Sequence, residues 1–270
     1  MKINAPLVVK VLTSFIREET KKAGFDRVVL GLSGGLDSSV CAFLAVEALG
    51  EDKVLALIMP YQNLDSEGVR HAELVATTLK IKWHKIDISP QIDAYFSLFP
   101  TDNHILKGNK MARERMSILY DFSAREKALI LGTSNKTELL IGYGTIHGDM
   151  ACGINPMGDL YKTQVLALGH HLGLPEEILR KKPTAGLWPG QTDEEEIGIF
   201  YDELDQILYR LVDLRKKPEE VVAEGVDQTK VRRIIEMIKK SEFKRKMPPI
   251  AKISSRTIGH DFLYPYDWDK

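Results

Sequence analysis

The chain has little with which to cross-link itself or bind soft metals. Its 270 residues include two cysteines, Cys41 and Cys152, and no C-x-x-C pair. That excludes a disulfide framework and argues against a zinc site. No apolar run approaches the roughly 18 residues that mark a membrane span, and no leader pattern precedes the first helix. A cytoplasmic protein with no membrane partner is expected. Net charge is nearly absent: 37 basic and 38 acidic residues leave −1, so no general nucleic-acid surface is indicated. The seven histidines are scattered; His170 and His171 adjoin at an expected helix end and read as surface residues. No Walker A lysine is present, and Gly31, Gly34 and Gly35 are wrongly spaced for a dinucleotide fingerprint. Repeats and low-complexity segments are missing too.

Apolar residues make up 44%, enough for one large domain with a full core. The chain is organised around residues 27–40, RVVLGLSGGLDSSV. Residues 27–32 read as a buried strand, Ser33, Gly34 and Gly35 as a turn, and Asp37, Ser38 and Ser39 as the opening of a helix. Glycines let backbone approach a ligand closely, and free N–H groups at a helix start attract an anion. An aspartate beside phosphate requires a cation between them. The stretch therefore predicts a phosphate site with a divalent cation, Mg²⁺ being the natural choice.

Hydrophobic patterning gives the rest. A helix is expected over 6–19, with Leu7, Val8, Val11, Leu12 and Phe15 on one side and Gly24 ending it. Strands are expected at 53–59, 83–88 and 128–132. Helices are expected at 38–49, 65–79, 89–99 and 109–124, with a polar loop at 100–107. Beyond Thr133 come a short helix at 138–144, a glycine-rich loop at 147–156 and a helix over 160–171. Residues 183–193 are irregular and suit a mobile lid. Helices over 201–211 and 228–240 begin a helical C-terminal part (201–270) that ends in a tail over 256–268. Strand–helix alternation predicts an α/β fold, a parallel sheet with helices on both faces. Ligands in such sheets bind beyond the carboxyl ends of the strands, so residues after Leu32, Met59 and Leu131 should line one site. If strands one and four are neighbours, Asp37 and Glu138 face the same crevice as a hard-oxygen pair.

Ser33-Gly34-Gly35-Leu36-Asp37-Ser38-Ser39 resembles the SGGxDS loop of the ATP pyrophosphatases, a P-loop-like motif that grips pyrophosphate while the α-phosphate is transferred. Other segments are similar to NAD synthetase. They are the Gly132-Thr133 to Glu138 segment, Gly108-Asn109 to Met116, Gly148-Asp149, Leu160 to Gln164, Pro183 to Leu187, Asp193-Glu194 and Lys244-Arg245 before Pro248. They lie in the family's order from about residue 27 to 248.

The resemblance implies an adenine nucleotide hydrolase-like (Rossmann-like) fold and a homodimer. It implies ATP contacts at Gly31, Ser33, Gly35, Ser38, Ser39, Met59, Thr133, Lys162 and Thr184, and a magnesium ion on Asp37 and Glu138. It implies deamido-NAD contacts at Asn109, Arg113, Tyr143, Asp149 and Lys244, with Asp37 and Lys162 as catalytic residues. Departures are Phe243 and Asn135, where the family often has histidine, and Gly153, where bacterial members often have aspartate.

The implied reaction belongs to NAD biosynthesis. A ligase joins deamido-NAD and ammonia using ATP, through an acyl adenylate. Only the first helix precedes strand one, and Cys41 sits inside an apolar helix, so free ammonia is the expected nitrogen donor. Two other readings use the same loop. One is a tRNA-modifying ATP pyrophosphatase gripping phosphates with the basic run 239–246; the other is a non-catalytic ATP-sensing domain, which would not need Asp37 and Glu138 together.

Overall fold

The computed structural model describes residues 1–184, 186–188 and 190–263. Four parallel strands form one sheet in the order β3-β2-β1-β4: β1 (Val28–Gly31), β2 (Val54–Ile58), β3 (Lys82–Lys85) and β4 (Leu129–Ile130). Register is set by Val28 opposite Val54 and Leu129. Successive side chains of a strand point to opposite faces. Val28, Leu30, Val54, Ala56 and Ile58 accordingly enter one core, and Val29, Leu55 and Leu57 the other. The continuous apolar runs of β1 and β2 follow from this double coverage. β3 is an edge strand, KWHK, mostly exposed. Its Lys82 and Lys85 pair with Glu126 and Glu73, and such charges discourage edge pairing.

The first core is covered by α1 (Ala5–Lys22), α2 (Leu36–Leu49), α3 (Ser66–Thr78) and α7 (Lys162–His171). The second is covered by α4 (Ser89–Leu98) and α5 (His104–Glu126). The fold is thus the expected Rossmann-like α/β layer structure. A third core contains no strand among the described residues. It joins α6 (Lys136–Ile141), α9 (Asp193–Ile197), α10 (Tyr201–Leu208), α11 (Pro218–Ala223) and α12 (Gln228–Lys240). The remaining helix, α8 (Glu176–Leu179), packs Ile178 into the first core.

Several elements differ from the pattern reading. α1 buries Val9, Thr13, Ile16 and Thr20, while Leu7, Val11 and Phe15 are exposed; Thr13 can bury because its hydroxyl bonds back to the Val9 carbonyl at 2.9 Å. α5 begins at His104, because Asn103 accepts from the backbone N–H groups of Ile105 and Leu106. A capping side chain was hidden in what reads as a polar loop. β4 is short, and Leu131 continues it through a single bridge to Ile154 inside the glycine-rich loop. α10 stops at Leu208 and continues as a π turn over Tyr209–Asp213. α8, α9 and α11 are too short for periodicity to reveal. His170 and His171 are exposed, as expected. Part of the expected lid (185 and 189) and the end of the tail (264–268) lie outside the described residues.

Candidate active site

The carboxyl ends of β1, β2 and β4 open into one cavity of about 820 Å³. Leu32, Ser33, Met59, Pro60, Leu131, Gly132 and Thr133 all line it. The crevice thus lies beyond the strand ends, as expected.

Its floor is the turn between β1 and α2. Gly34 has φ +76°, and a Cβ there would lie 2.0 Å from the Gly68 carbonyl oxygen and 2.8 Å from the Ala72 nitrogen of α3. Only glycine fits so close to another backbone. The turn is pre-tied by its own hydroxyls. Ser33 and Ser38 share a 3.0 Å hydrogen bond, and the Ser33 and Gly35 N–H groups donate to Ser38 Oγ and Ser33 Oγ at 3.2 and 3.3 Å. Gly31, Ser33, Gly35 and Ser38 face the cavity. Ser39 does not; it is fully buried, and its hydroxyl donates to the Gly35 carbonyl at 2.7 Å.

Asp37 and Glu138 meet above this turn, because β1 and β4 are neighbours. The Lys162 ammonium sits between them, paired with Asp37 Oδ2 and 3.4 Å from Glu138 Oε1. Asn135 completes the link. Its amide donates to Asp37 Oδ1 at 2.9 Å, while its oxygen caps α6 by accepting from the Glu138 N–H at 3.0 Å. Asn135 and Glu138 form a reciprocal capping box, the N-x-x-E spacing that marks a helix start.

Burial, then the Asp37 charge, push the Glu138 carboxyl up from its usual range, with Lys162 opposing. Burial works against the Lys162 charge, but Asp37 and Glu138 overcome it and hold the ammonium above its ordinary pKa.

No group of three or more His, Cys, Asp or Glu residues that could hold a metal exists among the described residues. The donor set still fits a magnesium ion. Two carboxylates already converge on one cation, the lysine ammonium, and Mg²⁺ usually takes one or two carboxylates plus phosphate oxygens and waters.

The far side of the cavity is built from α5 and the 142–149 turn. Thr145 joins the two. Its hydroxyl donates to Asn109 Oδ1 at 2.7 Å, and its N–H donates to Asp149 Oδ1 at 2.9 Å. Burial raises the Asp149 carboxyl. Tyr143 donates to Asp193 at 2.9 Å and lies 2.5 Å from Glu196. Lys244 spends its ammonium on the Gly142 and Gly144 carbonyls, at 2.8 and 2.7 Å. Arg245 does likewise for Leu139 and Leu140 at 3.0 and 2.8 Å. Both are cations at a helix C-terminus, where they satisfy orphan carbonyls.

Arg113 lies outside the cavity, exposed, with its Nε donating to the Ile146 carbonyl at 3.2 Å. Arg115, two residues on, lines the cavity instead, and its Nε donates to the Met59 carbonyl at 2.9 Å. Burial lowers its pKa to about 10. Gly153 is outside as well; a Cβ there would lie 2.5 Å from the Leu129 side chain. Phe243 is exposed.

Thr133 and Thr184 both line the cavity. The described part of 183–193 closes over its mouth. Leu187 packs on Gly108, its Cδ1 2.7 Å from where a Cβ would stand, and Trp188 stacks at a tilt on His104. Gln191 ties the segment down, accepting from the Leu187 N–H at 2.7 Å and donating to Glu196 at 3.1 Å. Cys41 is no nucleophile here: burial pushes its thiol well up, and it donates to the Gly132 carbonyl at 3.3 Å.

A loop of serines and glycines, a carboxylate pair bridged by lysine and a capped far wall thus share one cavity. The NAD synthase family model matches residues 8–248, which contain all of these parts. The chain belongs to the NAD synthase family. It is 51% identical to the NH(3)-dependent NAD(+) synthetase of Trichlorobacter lovleyi, over 100% of this chain and 99% of that one. Among solved structures, NH3-dependent NAD synthetase from Campylobacter jejuni superposes with TM-score 0.80 at 34% identity, covering 93% of this chain and 100% of that chain. NMN synthetase from Francisella tularensis does so with TM-score 0.83 at 33% identity, covering 93% and 99%.

Of the residues lining this cavity, Arg115, Thr145 and Gln191 had no role assigned from the sequence, and Asp193 only its place in the Asp193-Glu194 match. The signal for Asn135 was legible as a capping box; Arg115, Thr145 and Asp193 contact partners far away in sequence, while Gln191 bonds within its own irregular segment and to the nearby Glu196.

Proposed function

We propose that this chain is an ammonia-dependent NAD⁺ synthetase: a ligase that converts deamido-NAD, ATP and ammonia to NAD⁺, AMP and pyrophosphate. The observation that carries the reading is the Asp37–Lys162–Glu138 cluster standing directly over the 33–38 turn. The chemistry needs that pairing. A carboxylate is a poor electrophile, so the nicotinate carboxylate must first attack the α-phosphorus of ATP. The turn offers N–H and O–H donors to the departing pyrophosphate. Lys162 neutralises charge growing on it, an electrostatic contribution that is usually the largest in catalysis. Asp37 and Glu138 would hold Mg²⁺, which when bound supplies Lewis-acid charge stabilisation to the phosphates.

Asn109, Asp149 and Tyr143 would orient the deamido-NAD at the far wall, and Arg115 adds a buried guanidinium on that side. The acyl adenylate then has a good leaving group. Ammonia attacks its carbonyl, AMP leaves, and the amide forms. Segment 183–193 acts as the lid that keeps water from the adenylate. Gly31, Met59, Thr133 and Thr184 frame the nucleotide. Ser39 serves the loop from behind, and Lys244 shapes the substrate wall through the Gly142 and Gly144 carbonyls.

A single-domain homodimer is the assembly the resemblance implies, and the exposed apolar residues Leu98, Phe99 and Leu106 are candidates for its interface. Arg113, exposed on the same helix as Leu106, would then meet substrate at the subunit boundary. A cytoplasmic location agrees with the lack of any helix long and apolar enough to cross a membrane among the described residues. In the basic run 239–246, Lys244 and Arg245 turn inward while Lys239, Lys240 and Lys246 are exposed; the tRNA reading is disfavoured by the family to which the chain belongs.

The test is direct. The chain is incubated with ATP, Mg²⁺ and deamido-NAD, with ammonium or glutamine as donor, and NAD⁺ and AMP are followed. NAD⁺ with ammonium alone is expected. Nicotinate mononucleotide is run alongside; a faster conversion of it would move the substrate from the dinucleotide to the mononucleotide. No turnover of either, with salt-sensitive tRNA binding, would overturn the reading.

A further inference from the structure

Asp205 lies on α10, outside the cavity, and is completely buried. A buried carboxylate is costly unless its oxygens are satisfied. Both are. Oδ1 accepts from the Thr137 hydroxyl at 2.5 Å, and Oδ2 accepts from the Thr163 backbone N–H at 2.8 Å. The Thr137 oxygen in turn accepts from the Lys162 backbone N–H at 3.0 Å. These are two of the four N–H groups that open α7 and have no partner within the helix. A carboxylate there also answers the positive end of the helix dipole.

The sequence neighbours of the bonded residues are what matter. Thr137 precedes Glu138 on α6, and Thr163 follows Lys162 on α7. One carboxylate therefore grips both helices at the residue adjoining each functional side chain. α10 makes a second contact nearby, since the Lys162 ammonium lies 5.3 Å from the Tyr201 ring centre.

We propose that Asp205 is a positioning residue: it fixes the separation between Glu138 and Lys162, and so the geometry in which the carboxylate pair and the ammonium meet the ATP phosphates. The inference rests on the reading of Glu138 as a magnesium residue. No bond from Asp205 reaches substrate. Its effect passes through Thr137 and the first turn of α7. An asparagine in its place keeps the shape but only one acceptor oxygen. Either the Thr163 N–H then faces an amide donor, or the Thr137 hydroxyl loses its acceptor. A valine at Thr137 removes the other half of the clasp and leaves the Lys162 N–H unpaired. A serine there keeps it.

The experiment compares full-length wild type with Asp205→Asn, Thr137→Val, Thr137→Ser and, as a reference, Glu138→Gln. Mn²⁺ binding is measured by water-proton relaxation in the presence of α,β-methylene ATP, which cannot be cleaved at the reacting bond. Steady-state NAD⁺ formation and circular dichroism accompany it. Asp205→Asn and Thr137→Val are expected to weaken Mn²⁺ binding by about 10–100-fold, the usual cost of losing a group that orients a metal ligand. A fall in kcat is expected alongside, because a Lys162 ammonium displaced from the phosphates stabilises the departing charge less. Thr137→Ser should behave as wild type.

Wild-type Mn²⁺ affinity and kcat in both folded variants would overturn the proposal. So would losses that only track the fraction folded. If Asp205→Asn does not fold, the Thr137→Val and Thr137→Ser pair decides alone. Loss of Mn²⁺ affinity in Glu138→Gln but not in the clasp variants rejects the clasp and leaves the metal reading standing. Unchanged affinity in Glu138→Gln rejects the metal reading, and the clasp with it.

Discussion

Gly34 in the floor of the cavity and Gly190 in the segment over its mouth hold the same φ, +76°. Their surroundings differ. A Cβ on Gly34 would strike the backbone of α3 at 2.0 Å, whereas one on Gly190 meets nothing within 4 Å among the described residues. The floor is fixed by main chain pressed on main chain, with serine hydroxyls tying it from inside. Among the described residues the mouth is held by side-chain bonds through Gln191, Glu196 and Tyr143 and by a main-chain bond from the Asp193 N–H to the Pro183 carbonyl at 3.1 Å. A rigid floor suits charge stabilisation, which gains from donors already in place. A loosely held mouth suits entry and release, because segments that move come from the less stable parts of a fold.

The strongest way to break this contrast is to substitute both glycines. Gly34→Ala should abolish ATP binding and NAD⁺ formation, and overpacking should lower stability by about 1–3 kcal/mol or more. Gly190→Ala should cost only the left-handed backbone penalty, about 1–2 kcal/mol, with ATP binding retained. Calorimetric titration with ATP and a thermal melt separate them. Equal effects would mean that the floor owes nothing to its seat on α3.

Lys162→Met comes next. Removing a charge aimed at the departing pyrophosphate should reduce kcat by about 10²–10³-fold, measured by AMP release, with the fold intact by circular dichroism.

The third prediction concerns pH and the free protein. The folded chain holds the Glu138 proton more tightly than the unfolded chain. That contribution to stability is present below the usual 4.5 and is lost as pH rises through the raised value of about 8. Melting temperature measured without ligand should therefore fall over that window more in wild type than in Glu138→Gln. Parallel curves would place the ionised carboxylate in the free protein.

The smallest effect is expected at the mouth. Gln191→Leu leaves the Leu187 N–H and Glu196 without that partner. A loss near 1 kcal/mol should appear as a severalfold rise in AMP formed per NAD⁺. An unchanged ratio would show that Gln191 does not hold the segment closed.

The floor was the legible half. β1 and β2 read from continuous apolar runs. The turn read from two adjacent glycines before an aspartate and two serines, and Glu138 read from its place after a neighbouring strand. The resemblance then supplied roles for individual residues. What stayed hidden is long-range. The Thr145–Asn109 and Thr137–Asp205 bonds span 36 and 68 residues, and no local pattern encodes them.

Arg113 and Arg115 show the same limit within one helix. Two residues apart means about 200° of rotation, so the two arginines point different ways. Only the packing of Met111, Met116 and Leu119 into the second core decides which one faces the cavity. The polar stretch before α5 concealed a cap for a related reason. An asparagine reads equally as loop or as helix start until its side chain is seen to accept a backbone bond.

The contact between Gly34 and α3 reaches beyond the cavity. Because the turn and the helix touch through their backbones, neither can open without disturbing the other. The amides of both should exchange with solvent as one unit, at one protection level. A nucleotide held by the turn adds its binding free energy to that unit. Deuterium uptake in α3, on the side away from the ligand, should then slow when ATP binds. The same contact constrains redesign: β2 and α3 cannot be recut, shortened or moved to another scaffold without carrying the turn along.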